Sequence, residues 1–143
     1  MDQAVFQFTH PVEVRFKDID IGGHAHHSHA LVYFEEARAA YWTAVCGKQG
    51  IDGIDYVLAE SRIRWHKRVL WPQTLAVGVR VSKLGRKHFH MEYEVRGADN
   101  ALLISGMTVQ VMYDFAQGAT KSMSPAVKSA IEAQDGPFGA DPG

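Results

Sequence analysis

Four histidines fall within nine positions in GGHAHHSHA, residues 22–30. Imidazole gains and loses its proton near neutral pH and is the commonest metal ligand. His24, His26, His27 and His29 could therefore hold a metal, titrate, or form one wall of some other kind of active site. Chelation from a helix needs ligands one turn apart, at i and i+4. No two of the four have that spacing, and Gly22 and Gly23 place the run on a loop. No metal and no cofactor is expected. Cys46 closes an apolar segment with no base beside it, so it offers no nucleophile.

Two elements must position the run. Upstream, PVEVRFK (11–17) alternates Val12, Val14 and Phe16 with charged neighbours, the pattern of a half-buried strand. Downstream, ALVYFEEARAAYWTAVC (30–46) lacks Gly and Pro and is rich in helix formers. Ser28 is the expected N-cap and Gly47 the expected C-cap. Its only charges are Glu35, Glu36 and Arg38, so the helix should be buried on most sides. The rest alternates in four segments, 56–70, 74–84, 87–97 and 101–115. Turn signals at Trp71-Pro72, Leu84-Gly85-Arg86 and Gly97–Asn100 suggest an antiparallel meander of hairpins. A short helix is expected from Ser124-Pro125 to Ala133, then a disordered tail over 135–143. The sheet needs a covering layer, and only the 30–46 helix is large enough to supply it. Edges left open by a single helix point to a symmetric oligomer.

The bulk properties narrow the function. A chain of 143 residues, 46% hydrophobic and 22% charged, suits one domain, here 1–134. A net charge of −1 favours neither a nucleic-acid partner nor a membrane surface. No run of about 18 apolar residues could span a bilayer. MDQAVFQFTH lacks the pattern of a signal peptide. With a single cysteine, a cytoplasmic protein is expected.

VRFKDIDIGGHAHHSHALVYFEEAR resembles the signature of hotdog-fold acyl-CoA thioesterases of the 4-hydroxybenzoyl-CoA thioesterase type. Asp18-Ile19-Asp20, Gly23-His24, His26-His27 and Phe34-Glu35-Glu36-Ala37-Arg38 fall on the family positions without a gap. Departures are His26-His27 where Asn-Asn is common, Ala30 where Tyr is frequent, and Pro72-Gln73 in place of Gly-Asp. The likeness implies an α+β hotdog fold, a long central helix wrapped by a five- or six-stranded antiparallel sheet. It also implies hydrolysis of an acyl-CoA substrate in a homotetramer built from dimers, with the site at a dimer interface.

By that resemblance, Asp20 is the catalytic carboxylate, as nucleophile or general base. The bland alternative for Asp20 is an Asx-turn that caps the loop. His27 stands at the helix start, where free N–H groups and the helix dipole stabilise an oxyanion. His24 braces the loop. Glu35 matches a catalytic helix Glu of another hotdog branch, although pairing with Arg38 or with a strand Arg is the simpler expectation. Coenzyme A needs cations. Lys83, Arg86 and Lys87, around the Leu84-Gly85 turn, are the CoA-binding candidates, with Arg62, Arg64, Lys67 and Arg68 also available. Trp42, Tyr41, Phe89 and Trp65 are expected in the core or a subunit interface. Rival readings are a non-hydrolytic acyl-CoA-binding protein, a thioesterase acting on carrier-bound acyl groups, and a metal-dependent protein.

Overall fold

The computed structural model describes residues 6–139; the first and last residues of the chain, including 140–143 of the expected tail, lie outside them. The first strand, β1 (Phe8–Glu13), begins and ends earlier than the alternation suggests. Val12 and Val14 are buried, but Phe16 is 73% exposed. The Asp18 carboxylate accepts from Arg15 N at 3.0 Å and turns the chain into a 3-10 turn, Phe16–Asp18. Pro11 is tolerated because β1 is an edge strand, paired only with β3 (Thr74–Leu84).

The loop leads into α1 (His29–Cys46). Its buried residues are Ala30, Tyr33, Phe34, Ala37, Arg38, Tyr41 and Trp42. That is a repeat of three and four, one stripe of the helix, whereas Leu31, Val32 and Glu35 are exposed. The helix is thus buried along one side rather than on most sides. Gly47 closes it in the left-handed conformation, φ 70°. Ser28 makes no cap hydrogen bond; its hydroxyl is 2.9 Å from His26 Nδ1 instead.

The other strands are β2 (Tyr56–Trp65), β4 (His88–Arg96), β5 (Leu102–Asp114) and the two-residue β6 (Ala119–Thr120). The sheet is antiparallel, in the order β1-β3-β4-β5-β2, with β6 beside β5. So β3, β4 and β5 form the expected meander, but β2 does not pair with β3. It crosses to the far edge and pairs with β5. Alternation tells a strand which face is buried, not which neighbour it finds. The crossover, residues 66–73, is held in place by Gln73, which accepts from Ala98 N and donates to Leu70 O.

The inner face of the sheet carries Val77, Val79, Val81, Phe89, Met91, Tyr93, Val95 and Ile104, all at most 1% exposed. Aromatic stacks join it to α1: Phe34 on Tyr93 at 4.2 Å and Trp42 on Phe89 at 5.2 Å. Gly106 makes room for the Phe34 ring, since a Cβ there would lie 2.7 Å from Phe34 Cε2. The last helix, α2 (Pro125–Asp135), starts with Ser124 accepting from Val127 N, as expected. Its final Asp135 carboxylate accepts from Tyr41 OH and Val81 N, fastening α2 to both helix and sheet. Among the described residues no helix is long and apolar enough to cross a membrane.

Candidate active site

The loop between β1 and α1 is built on Asp18, a buried carboxylate at 4% exposure. One of its oxygens accepts from Arg15 N and, at 3.1 Å, from Tyr33 OH. The other lies 3.5 Å from His29 Nδ1, an ion-pair distance when the imidazole is protonated and long for a hydrogen bond. Its backbone oxygen accepts from His26 N at 2.9 Å. One residue therefore ties strand end, loop and first helical turn together. Burial, then the charge and hydrogen bond of Asp18, push the Tyr33 hydroxyl above the usual phenol range, so it stays a donor. Sequence reasoning saw Asp18 only as part of a motif. The one signal for its burial is Tyr33, fifteen residues on, and nothing in the spacing reveals that contact.

Asp20 is half-buried and forms the Asx-turn of the bland alternative, accepting from Gly22 N at 2.8 Å. Its backbone N–H bonds to His24 O at 3.0 Å. The Asp20 carboxylate and the His24 ring converge over Gly22: a Cβ there would meet Asp20 Oδ1 at 3.1 Å and His24 Cε1 at 3.0 Å. His24 Nδ1 is buried without a hydrogen-bond partner among the described residues.

His24 and His27 open onto a cavity of about 330 Å³, whose far wall is Trp65 and the crossover residues His66 to Val69. Ala25 N donates to Val69 O at 2.8 Å and holds the two walls together. The His27 ring lies against His26, centroids 3.9 Å apart and tilted by 34°, and meets Trp65 edge-on at 6.3 Å. Trp65 is 46% exposed, so of the two places expected of it, core or subunit interface, it is not in the core; it forms cavity wall. Tyr41, Trp42 and Phe89 are fully buried, as expected of core residues. At the helix start the Ser28, His29 and Ala30 N–H groups are taken by His26 Nδ1, His26 O and His27 O. The His27 N–H has no acceptor among the described residues. A free N–H at a helix start is an anion-stabilising donor.

The remaining candidates are elsewhere. Asp20 does not line the cavity; its backbone is bonded to that of His24, which does. Glu35 is exposed and does not line it either. Arg38 does not pair with Glu35 but is buried, donating to Tyr93 OH at 3.0 Å with its guanidinium over the Tyr56 ring. Lys83, Arg86 and Lys87 flank the β3–β4 turn, beside Phe89 and its partner Gln110. The cavity lies at the Trp65–Ile104 end. Six residues of β5 separate the two, roughly 20 Å at about 3.3 Å per residue. The cations nearest the cavity are Lys67 and Arg68. Cys46 is disarmed: burial, then the nearby Asp55 charge, push its thiol up to about 12. Among the described residues, no group of three or more His, Cys, Asp or Glu side chains is placed to hold a metal ion.

A family model for the thioesterase-like superfamily matches residues 14–131. The chain belongs to that superfamily. It is 28% identical to a thioesterase from Thermus thermophilus solved in complex with coenzyme A and Zn, with a TM-score of 0.79 and 91% and 95% of the two chains covered. A DHNA-CoA thioesterase from Staphylococcus aureus shares the fold at 20% identity, with a TM-score of 0.80 over 88% and 89% of the chains. Among curated proteins it is similar to YsmA of Bacillus subtilis (strain 168), described as uncharacterized, with 23% identity over 88% of this chain and 86% of that one.

Proposed function

We propose that this chain is a cytoplasmic acyl-CoA thioesterase of the 4-hydroxybenzoyl-CoA thioesterase type, one hotdog domain over residues 1–134. The observation that carries the proposal is the cavity at the start of α1, with His24 and His27 on one wall and an unused His27 N–H. A thioester carbonyl beside His27 has a donor for its developing oxyanion. Asp20, held by its bond to Gly22 N, acts as nucleophile or as base for a water, after a small rearrangement past His24. His24 spaces the loop and shields the Asp20 carboxylate. The coenzyme A complex of the Thermus protein supports the choice of thiol ester.

The site is proposed to be completed in a homotetramer, a dimer of dimers. Among the described residues, the outer edge of β2, ten residues long, and the exposed side of α1 lack cover in the single chain. Lys83, Arg86 and Lys87 can serve the same cavity only when a second copy presents them.

The test is steady-state hydrolysis of a panel of aromatic, branched and short-chain CoA thioesters, followed by thiol release. Turnover of at least one member is the expected result. Tight binding without turnover would favour a non-hydrolytic acyl-CoA-binding protein. Cleavage confined to carrier-bound thioesters would favour the acyl-releasing enzyme.

A further inference from the structure

Five large apolar side chains stand exposed around the mouth of the cavity: Phe16, Ile21, Trp65, Leu70 and Trp71, from 46% to 108% exposed. Contacts between their two segments make them one patch. Phe16 meets Trp71 with ring centroids 5.4 Å apart. Ala25 N donates to Val69 O at 2.8 Å, and Val14 N to Gln73 O at 3.0 Å. Ile21 belongs to the turn that Ile19 and Ala25 close by a bridge. Trp65 is cavity wall, with Lys67 and Arg68 along the same wall, so the cavity opens inside the patch.

The charge around these side chains is mostly of one sign. Segments 14–29 and 65–73 hold Arg15, Lys17, Lys67 and Arg68, all exposed. Their acids are Asp18 and Asp20, with Glu13 just upstream on β1. Asp18 is buried on its donors, and Asp20 accepts from Gly22 N. Lys17, Lys67 and Arg68 make no ion pair among the described residues. The net charge of −1 is an average over the chain and conceals this cationic rim.

A contiguous exposed apolar patch marks a surface that something covers. An indole has an apolar body and one N–H donor, and it settles at the boundary between acyl chains and headgroups. Cations beside it meet lipid phosphates. Residues 66–73 contain neither strand nor helix, so they offer a peptide no edge to extend and no helical groove to fill. Charge and shape together suit a broad anionic surface.

We propose that the mouth, residues 15–21 and 65–71, binds the surface of an anionic lipid bilayer. Phe16, Ile21, Leu70 and Trp71 enter the acyl boundary, and Lys17, Lys67 and Arg68 lie among the phosphates. The cavity then faces the headgroup layer, where amphiphilic acyl compounds collect. The contact does not depend on the thioesterase reading.

The experiment is flotation of the full-length protein with vesicles of phosphatidylcholine, either alone or with about one third phosphatidylglycerol. Three proteins are compared. They are wild type, Phe16→Ser/Trp71→Ser, which keeps every charge, and Lys17→Gln/Lys67→Gln/Arg68→Gln, which keeps every apolar side chain. Wild type should bind the anionic vesicles about tenfold or more tightly than the neutral ones, and leave them at about 0.5 M salt. Each variant should bind the anionic vesicles about tenfold or more weakly than wild type. The substituted side chains are exposed, so melting temperatures should stay within about 5 °C. Wild type that does not float with anionic vesicles, or binds both kinds equally, overturns the proposal. Binding by either variant equal to that of wild type also overturns it. Two rival occupants have their own signatures. Wild type that ignores vesicles but is retained on an immobilised acyl carrier protein, an acidic protein, would make the patch a protein-docking face. A dimer that dissociates in Phe16→Ser/Trp71→Ser, measured by light scattering and without vesicle binding, would make it a subunit interface. Either result overturns the membrane contact.

Discussion

The seam between α1 and the sheet and the mouth formed by residues 16–29 and 65–71 are made from similar residue types to opposite effect. In the seam, Trp42, Phe34, Phe89 and Tyr93 are at most 1% exposed and stack in parallel pairs. At the mouth, Phe16, Trp65, Leu70 and Trp71 are between 46% and 73% exposed, and Phe16 meets Trp71 only edge-on. Buried polar groups do not separate the two regions: the Arg38 guanidinium in the seam donates to Tyr93 OH, which in turn meets Thr108, but Arg38 Nε, like His24 Nδ1 at the mouth, has no partner among the described residues. The seam sets stability. The mouth keeps exposed apolar surface where a ligand or a second copy can use it.

Substitutions can break that contrast, beginning with the largest expected effect. Trp42→Ala removes a stacked, buried ring and its bond to Asp55, and should cost about 3–5 kcal/mol. Thermal melting should fall by roughly 10–15 °C. Asp18→Asn keeps an oxygen for Arg15 N and Tyr33 OH but buries an NH2 at the position of the other oxygen, where among the described residues only His29 Nδ1, 3.5 Å away, faces its two protons, a cost of about 1–3 kcal/mol. Faster amide exchange across residues 18–29 would show that Asp18 organises the loop, and unchanged exchange would show that it does not.

The Asp55 carboxylate gives a pH test of the seam's far end. Partial burial alone would raise its pKa, but bonds from Lys121 and Trp42, with the Lys48 charge, outweigh burial and lower it. A carboxyl lowered by folding stabilises the protein fully above the ordinary carboxylate range, and loses that stabilisation as pH falls through its folded value. Asp55→Asn should therefore cost about 1.5–3 kcal/mol at neutral pH. The gap in melting temperature to wild type should narrow below about pH 4. A gap that widens in acid would contradict the assignment. The smallest effect on folding belongs to the mouth: Phe16→Ser should change stability by only about 0.5 kcal/mol. A loss as large as that of Trp42→Ala would erase the distinction between the two regions.

The same contrast explains what could be seen in the sequence. Inner-face residues such as Val77, Val79 and Val81 alternate because one face is dry, so strands β3 to β5 and their hairpins are visible within a residue or two. Helix α1 starts one residue before its expected bound and ends where expected. The partner of β2 is not legible, since its alternation names a face and not a neighbour, and the strand ends at Trp65, short of the expected 70. Ser28 misleads because a nearby imidazole outcompetes the helix for its hydroxyl. At the site, Asp20, His24 and His27 are found close together along the loop, but the cavity wall from Trp65 to Val69 is distant in sequence. The importance of Asp18 rests on a side-chain contact that no local pattern encodes.

Asp20 carries the central claim, and its turn permits a clean test. Asparagine retains an oxygen that can accept from Gly22 N, so Asp20→Asn keeps the loop and removes only the carboxylate. The decisive measurement is kcat/KM for the best CoA thioester, wild type against Asp20→Asn, with melting temperatures matched. A fall of about 100-fold or more is predicted for loss of the base or nucleophile. Equal activity in the two proteins would contradict the account.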